Sequence, residues 1–90
     1  MAWPEDITKI TPDELAALHK ENEAWGKDLR IRIKGLMDGK VAGQIGKDEY
    51  AANRKIANKD MNEYRRRGRL LMHEFSVRTK RTFRAGASGS

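Results

Sequence analysis

The chain has no cysteine, only two prolines and no long apolar run. Without thiols it can build no disulfide framework, thiolate metal site or cysteine nucleophile, a composition that fits a reducing, cytoplasmic setting. No stretch approaches the roughly 20 apolar residues needed to cross a bilayer, and Met1-Ala2-Trp3-Pro4-Glu5-Asp6 offers neither the basic start nor the apolar middle of a secretory leader, so no membrane association is expected. The prolines stand at positions 4 and 12. Everything beyond Pro12 is therefore free of the residue that most strongly breaks a helix. Trp, Tyr and Phe make up 7% of the chain, which leaves few rings for stacking on nucleobases.

Acid is the other scarcity, and it is local. Residues 1–49 carry eight Lys/Arg against ten Asp/Glu, whereas residues 50–90 carry eleven against three, so net −2 meets net +8. Clustered cations make a field that draws polyanions, while interspersed charges mainly keep a protein soluble. Ninety residues form one domain at most, near the size where a single core is thin and a second copy often supplies the missing burial.

Thr11-Pro12-Asp13-Glu14 reads as an N-cap, a proline at the first helical position and two acids in the first turn. From there Leu15, Leu18, Trp25, Leu29 and Leu36 recur at 3–4 spacing, with Asn22 and Arg32 in the gaps. Ala17, Ala24 and Ile31 form a second strip beside this seam. The pattern predicts a helix over about 12–37, a turn over 38–46 containing Gly39, Gly43 and Gly46, and a second helix over about 47–82. The inward stripe of that second helix is Tyr50, Ala57, Met61, Tyr64, Leu71 and Phe75, with Arg54 and Gly68 between; Gly68 is its weakest point. Residues 1–10 read as an N-terminal arm, 11–83 as the hairpin domain and 84–90 as a small-residue, disordered tail. Gly43-Gln44-Ile45-Gly46-Lys47-Asp48-Glu49-Tyr50 resembles the turn and helix start of many small helical hairpins, which implies hairpin geometry alone.

The expected fold is all-α, an antiparallel helical hairpin pairing with a second copy into a homodimeric four-helix bundle. Ile56, Leu70 and Val77 widen the apolar face beyond what one partner helix covers, and with Leu71 and Phe75 they form the expected oligomer interface. Asn22, on the seam between Leu18 and Trp25, either fixes the register from inside or faces solvent at the edge.

The outer face of the second helix, Lys55, Lys59, Asn62, Arg66, Arg69, His73, Ser76 and Lys80, contains no acid. Glu63 with Arg67 and Glu74 with Arg78 are expected to pair on the adjoining flank. With Arg65, Arg78, Arg81 and Arg84, the cations Lys55, Lys59, Arg66, Arg69 and Lys80 are the candidate phosphate contacts for DNA or RNA, without strong sequence choice. Tyr64 and Phe75 read as core, leaving Trp3 and Phe83 as candidate stackers. The rival expectation is a small interaction factor that docks on an acidic protein surface, and a peripheral membrane binder is a third reading that the folding need for the apolar face disfavours.

Enzymatic constellations fail one at a time. His19 and Glu23 lie four apart but have no third ligand at suitable spacing, and His73-Glu74 lacks the second histidine of a zinc-protease helix. Asp13, Glu14, Glu21, Glu23 and Asp28 have no apolar flanks to raise a carboxyl into the catalytic range. Gly46-Lys47 is not followed by the Ser or Thr of a nucleotide loop. No enzyme activity, metal or cofactor is expected.

Overall fold

The computed structural model describes the backbone of residues 3–88 and the side chains of residues 3–82. Its order is a 3-10 turn at Ile7–Lys9, helix α1 at Pro12–Val41 and helix α2 at Lys47–Ser88, with no strand among the described residues. Among those residues no helix is long and apolar enough to cross a membrane.

Helix α1 starts where its sequence says it should. Thr11 is extended, its Oγ1 accepts the Glu14 N–H at 3.1 Å, and Pro12 follows in the first turn, where its missing N–H leaves no bond unmade. The other end differs from expectation. The helix continues through Asp38 and Gly39 to Val41, because the residue that can turn the chain is Gly43, with φ +74°. With Ala42 as the C-cap, the Gly43 N–H reaches the Lys40 carbonyl at 3.1 Å and the Gln44 N–H the Gly39 carbonyl at 2.8 Å. That is the paired 5→2 and 6→1 pattern in which a left-handed glycine satisfies the last carbonyls. Ile45 then folds back onto Gly39, which is buried beneath it. Helix α2 opens at Lys47 and runs without a break through Gly68 to Ser88, past the end expected near Thr82. The backbone of 84–88 is thus helical, and Gly89 and Ser90 lie outside the described residues.

The two helices lie antiparallel, and each turn along α1 meets one turn further back along α2. The His19 and Phe75 rings meet edge to face at 5.7 Å, Asn22 lies over Gly68, Arg32 pairs with Asp60 at 3.1 Å, and the Lys40 Nζ sits 4.4 Å above the Tyr50 ring. Among the described residues, buried apolar side chains are few: Leu15, Leu18, Leu29, Ala57 and Leu71. Leu15, Leu18 and Leu71 cluster at the open end of the hairpin, and Trp3, Ile7, Ile10 and Phe75 close over them. The N-terminal arm is therefore part of the core. Asp6 shapes it by accepting from both the backbone N–H (3.0 Å) and the hydroxyl (2.6 Å) of Thr8, and these bonds, the hydroxyl's first, hold its carboxyl below the usual range.

Asn22 is inside the seam, 5% exposed, giving its Nδ2 hydrogen to the Tyr64 carbonyl at 3.4 Å while Oδ1 has no protein donor. Gly68 lies opposite the amide, and a Cβ there would meet Nδ2 at an ordinary contact distance of 3.7 Å. One turn on, the fit is tighter: the Tyr64 ring fills the space a Cβ at Gly26 would need. Close approach of the helices at the Gly26 level depends on the absence of a side chain. The result is a rod of 66 × 22 × 16 Å with a radius of gyration of 18.6 Å, against about 12 Å for a compact chain of this length.

Candidate nucleic-acid interface

The helical hairpin turns the inward stripe of α2 onto α1, so the opposite face of α2 must point outward. Lys55, Lys59, Asn62, Arg66, Arg69, His73, Ser76 and Lys80 are all exposed along it. From Lys55 to Lys80 this ladder is about 37 Å long at 1.5 Å per residue. Among the described residues, Lys55, Lys59, Arg69 and Lys80 form no ion pair, and Arg65 and Arg81 stand exposed at its margins.

Two of the arginines expected at the phosphates are engaged elsewhere. Glu63 accepts from Arg66 at 2.6 and 2.9 Å and from Arg67 at 3.1 Å. The Arg66 bonds are the main reason its carboxyl is held at about 2, down from 4.5, and in return they raise the Arg66 guanidinium. Sequence spacing pairs Glu63 with Arg67 alone, but i,i+3 and i,i+4 neighbours are both within reach on a helix, and one carboxylate has two oxygens. Glu63 keeps its charge down to pH about 2, so the arginine pair stays partly neutralised across the whole working range.

Arg78 is a structural residue. Its Nε donates to Glu74 at 2.8 Å, and its Nη2 donates to the Ile10 carbonyl at 2.8 Å and the Ile7 carbonyl at 3.2 Å. Its side chain is 21% exposed and that of Glu74 3%. The guanidinium thus pins the arm to α2 instead of facing solvent. Arg84 lies outside the described side chains.

The aromatic residues add little stacking surface. Trp3 and Trp25 are half-buried, and the Arg67 guanidinium lies 5.1 Å from the centre of each. Tyr64 is half-buried against Gly26, edge to face with Trp25 at 6.4 Å, and its hydroxyl donates to Glu23 at 3.4 Å. Phe83 is beyond the described side chains. The outward face of α2 from Lys55 to Lys80 exposes cations, an amide, an imidazole and a hydroxyl, with no carboxylate and no Trp, Tyr or Phe ring.

Of the expected oligomer-interface residues, Leu71 is wholly buried within the single chain and Phe75 is half-buried beside it, whereas Ile56 is 59% and Leu70 37% exposed. Val77 is half-buried on the same flank.

The sequence pattern did not reveal a basic groove at the closed end of the hairpin. Two adjoining cavities, of about 390 and 320 Å³, share Arg54 and Asn58. Lys40, Lys47, Tyr50 and Lys55 line the first, and Ile33, Asn62 and Arg65 line part of the second. The available signal was Lys47, Ala51, Arg54, Asn58 and Arg65 on one flank of α2. It was obscured because Arg54 occupies a gap in the apolar stripe and Lys40 comes from the other helix. Among the described residues, no group of three His, Asp or Glu could hold a metal ion. No protein-family model, curated protein or solved structure matches the chain.

Proposed function

We propose that this protein is a small nucleic-acid-binding protein that grips phosphates with the outward face of α2, without catalysis and without strong sequence choice. The observation that carries the reading is the exposed ladder Lys55, Lys59, Arg69 and Lys80, four cations on one continuous helix with no carboxylate partner among the described residues. Unpaired cations at helical spacing cost folding energy through mutual repulsion, and a polyanion relieves that repulsion while releasing its own counterions. A mixed-sign surface would have no such use for a ligand.

The test is fluorescence anisotropy with labelled duplex DNA, single-stranded DNA and RNA of equal length, at low and near-physiological salt. Binding is expected to fall steeply with salt, and changing Lys59, Arg69 and Lys80 together to Glu is expected to abolish it. Removing a single phosphate-binding cation should reduce the magnitude of the salt slope by roughly one unit. Unchanged binding by the triple variant defeats the assignment of this face. Absence of binding to all three polymers at low salt overturns the nucleic-acid reading and favours docking on an acidic protein.

A second observation supports self-association. Ile56 and Leu70 are exposed on one flank of an elongated rod with few buried residues, and a second hairpin laid along that flank would cover them and complete a four-helix bundle. Sedimentation equilibrium at micromolar concentration is expected to give twice the chain mass, and Ile56→Glu with Leu70→Glu to give the single mass. A wild-type chain that sediments as a monomer defeats the dimer.

A further inference from the structure

The closed end of the hairpin gathers cations with no carboxylate lining the space between them. Arg54 lines the groove there, and its Nη1 is buried with no hydrogen-bond acceptor. A buried donor left unpaired on a permanently charged group is among the more costly defects a fold can carry, and it is normally removed by a carboxylate or a carbonyl. Here neither is supplied: no Asp or Glu lines either of the two cavities that meet at Arg54. The polar side chains around it are cations, two amides and a phenol, with no carboxylate. Lys40, Lys47 and Lys55 line the first cavity with the Asn58 amide, and Arg65 and Asn62 line the second. Lys40 is already oriented, because its Nζ rests 4.4 Å over the Tyr50 ring.

We infer that this groove is a phosphate site, in which the half-buried Arg54 is the anchor and Lys40, Lys47 and Lys55 neutralise a phosphodiester of a nucleic-acid strand. The inference deepens the nucleic-acid reading and rests on it for the source of the phosphate. A planar guanidinium presents two parallel N–H donors to two phosphate oxygens, and a partly desolvated setting strengthens both bonds relative to the exposed lysines of the ladder. Lys55 belongs to the ladder and to the groove alike. It connects the two surfaces, so one strand can pass from the outward face of α2 into the closed end, and the groove fixes where on the rod the strand is held.

The test pairs two substitutions with one direct probe. Arg54→Gln keeps a polar side chain and removes the charge, and Lys40→Gln removes a cation contributed by α1. Each fold is checked by its thermal melt. Either variant is expected to weaken oligonucleotide binding by about ten-fold or more, the usual consequence of losing a charge-assisted hydrogen bond. In the unaltered protein, the Arg54 Nε–Hε NMR resonance is expected to shift saturably on titration with the oligonucleotide. Binding that survives in both variants, with a stationary Arg54 resonance, overturns the groove and leaves the ladder reading intact. If the protein binds no oligonucleotide, the nucleic-acid reading fails. Inorganic phosphate then decides the site separately: a saturable Arg54 shift supports an anion site for a free phosphate, and no shift overturns it.

Discussion

Arg78→Met is expected to destabilise the protein by about 3–5 kcal/mol. The magnitude follows from what is left behind. Glu74 is 3% exposed, and Arg78 at 2.8 Å is its cation. Without the guanidinium, a carboxylate is stranded in a space that water hardly reaches. The Ile7 and Ile10 carbonyls lose the donor that attaches the arm to α2 as well. Methionine replaces much of the side-chain volume, so the loss measures charge and hydrogen bonding more than packing. Urea denaturation gives the free energy, and limited trypsinolysis at Lys9 should become faster as the arm detaches. Combining the change with Glu74→Gln should restore a large part of the stability, because removing both charges leaves no ion stranded. A single-variant loss below about 1 kcal/mol would show that the pair is effectively solvated.

Leu71→Ala is expected to cost about 3 kcal/mol, within the usual range of roughly 2–5 kcal/mol for a buried leucine. Leu71 is 0% exposed and sits against Leu15 and Leu18, beneath the arm residues Trp3, Ile7 and Ile10. Two long helices cannot readily collapse into the space a lost isobutyl group leaves, since the register is held on one side by Asn22 against Gly68 and on the other by the His19–Phe75 ring contact. For a chain of this length the melting temperature should fall by about 12–24 °C. Leu70→Ala, one residue away but 37% exposed, should cost less, about 1–2 kcal/mol in the monomer. The comparison therefore also tests the face of α2 that α1 covers. Equal losses at 70 and 71 would mean that the helix is rotated from this arrangement, or that Leu70 is buried by a second copy, and sedimentation separates these two outcomes.

Local chemistry alone determined the two helices, the start of the first at Thr11-Pro12, the seam through Leu15, Leu18 and Leu29, the opposing Ala57 and Leu71, and the acid-free outward ladder of α2. Helical periodicity converts spacing into direction, so once a hairpin is specified its inner and outer faces are largely fixed. The pairing of Glu63 with Arg67 and of Glu74 with Arg78 was legible for the same reason.

Only the tertiary structure decided the features that join distant segments. The end of the first helix at Val41 is not among them, since Gly43 in the left-handed conformation and Ile45 over Gly39 make a local turn. Asn22 is in the seam because the Tyr64 carbonyl, on the other helix, accepts from its amide. Arg78 ties down the arm because the carbonyls of Ile7 and Ile10 arrive beside it from the far end of the sequence. Arg54 acquires its basic groove only when Lys40 is brought across from α1. Periodicity describes one helix at a time, whereas the environment of a long charged side chain is set by what the other helix and the arm place within its reach. Those neighbours are separated in sequence and become contacts only through packing.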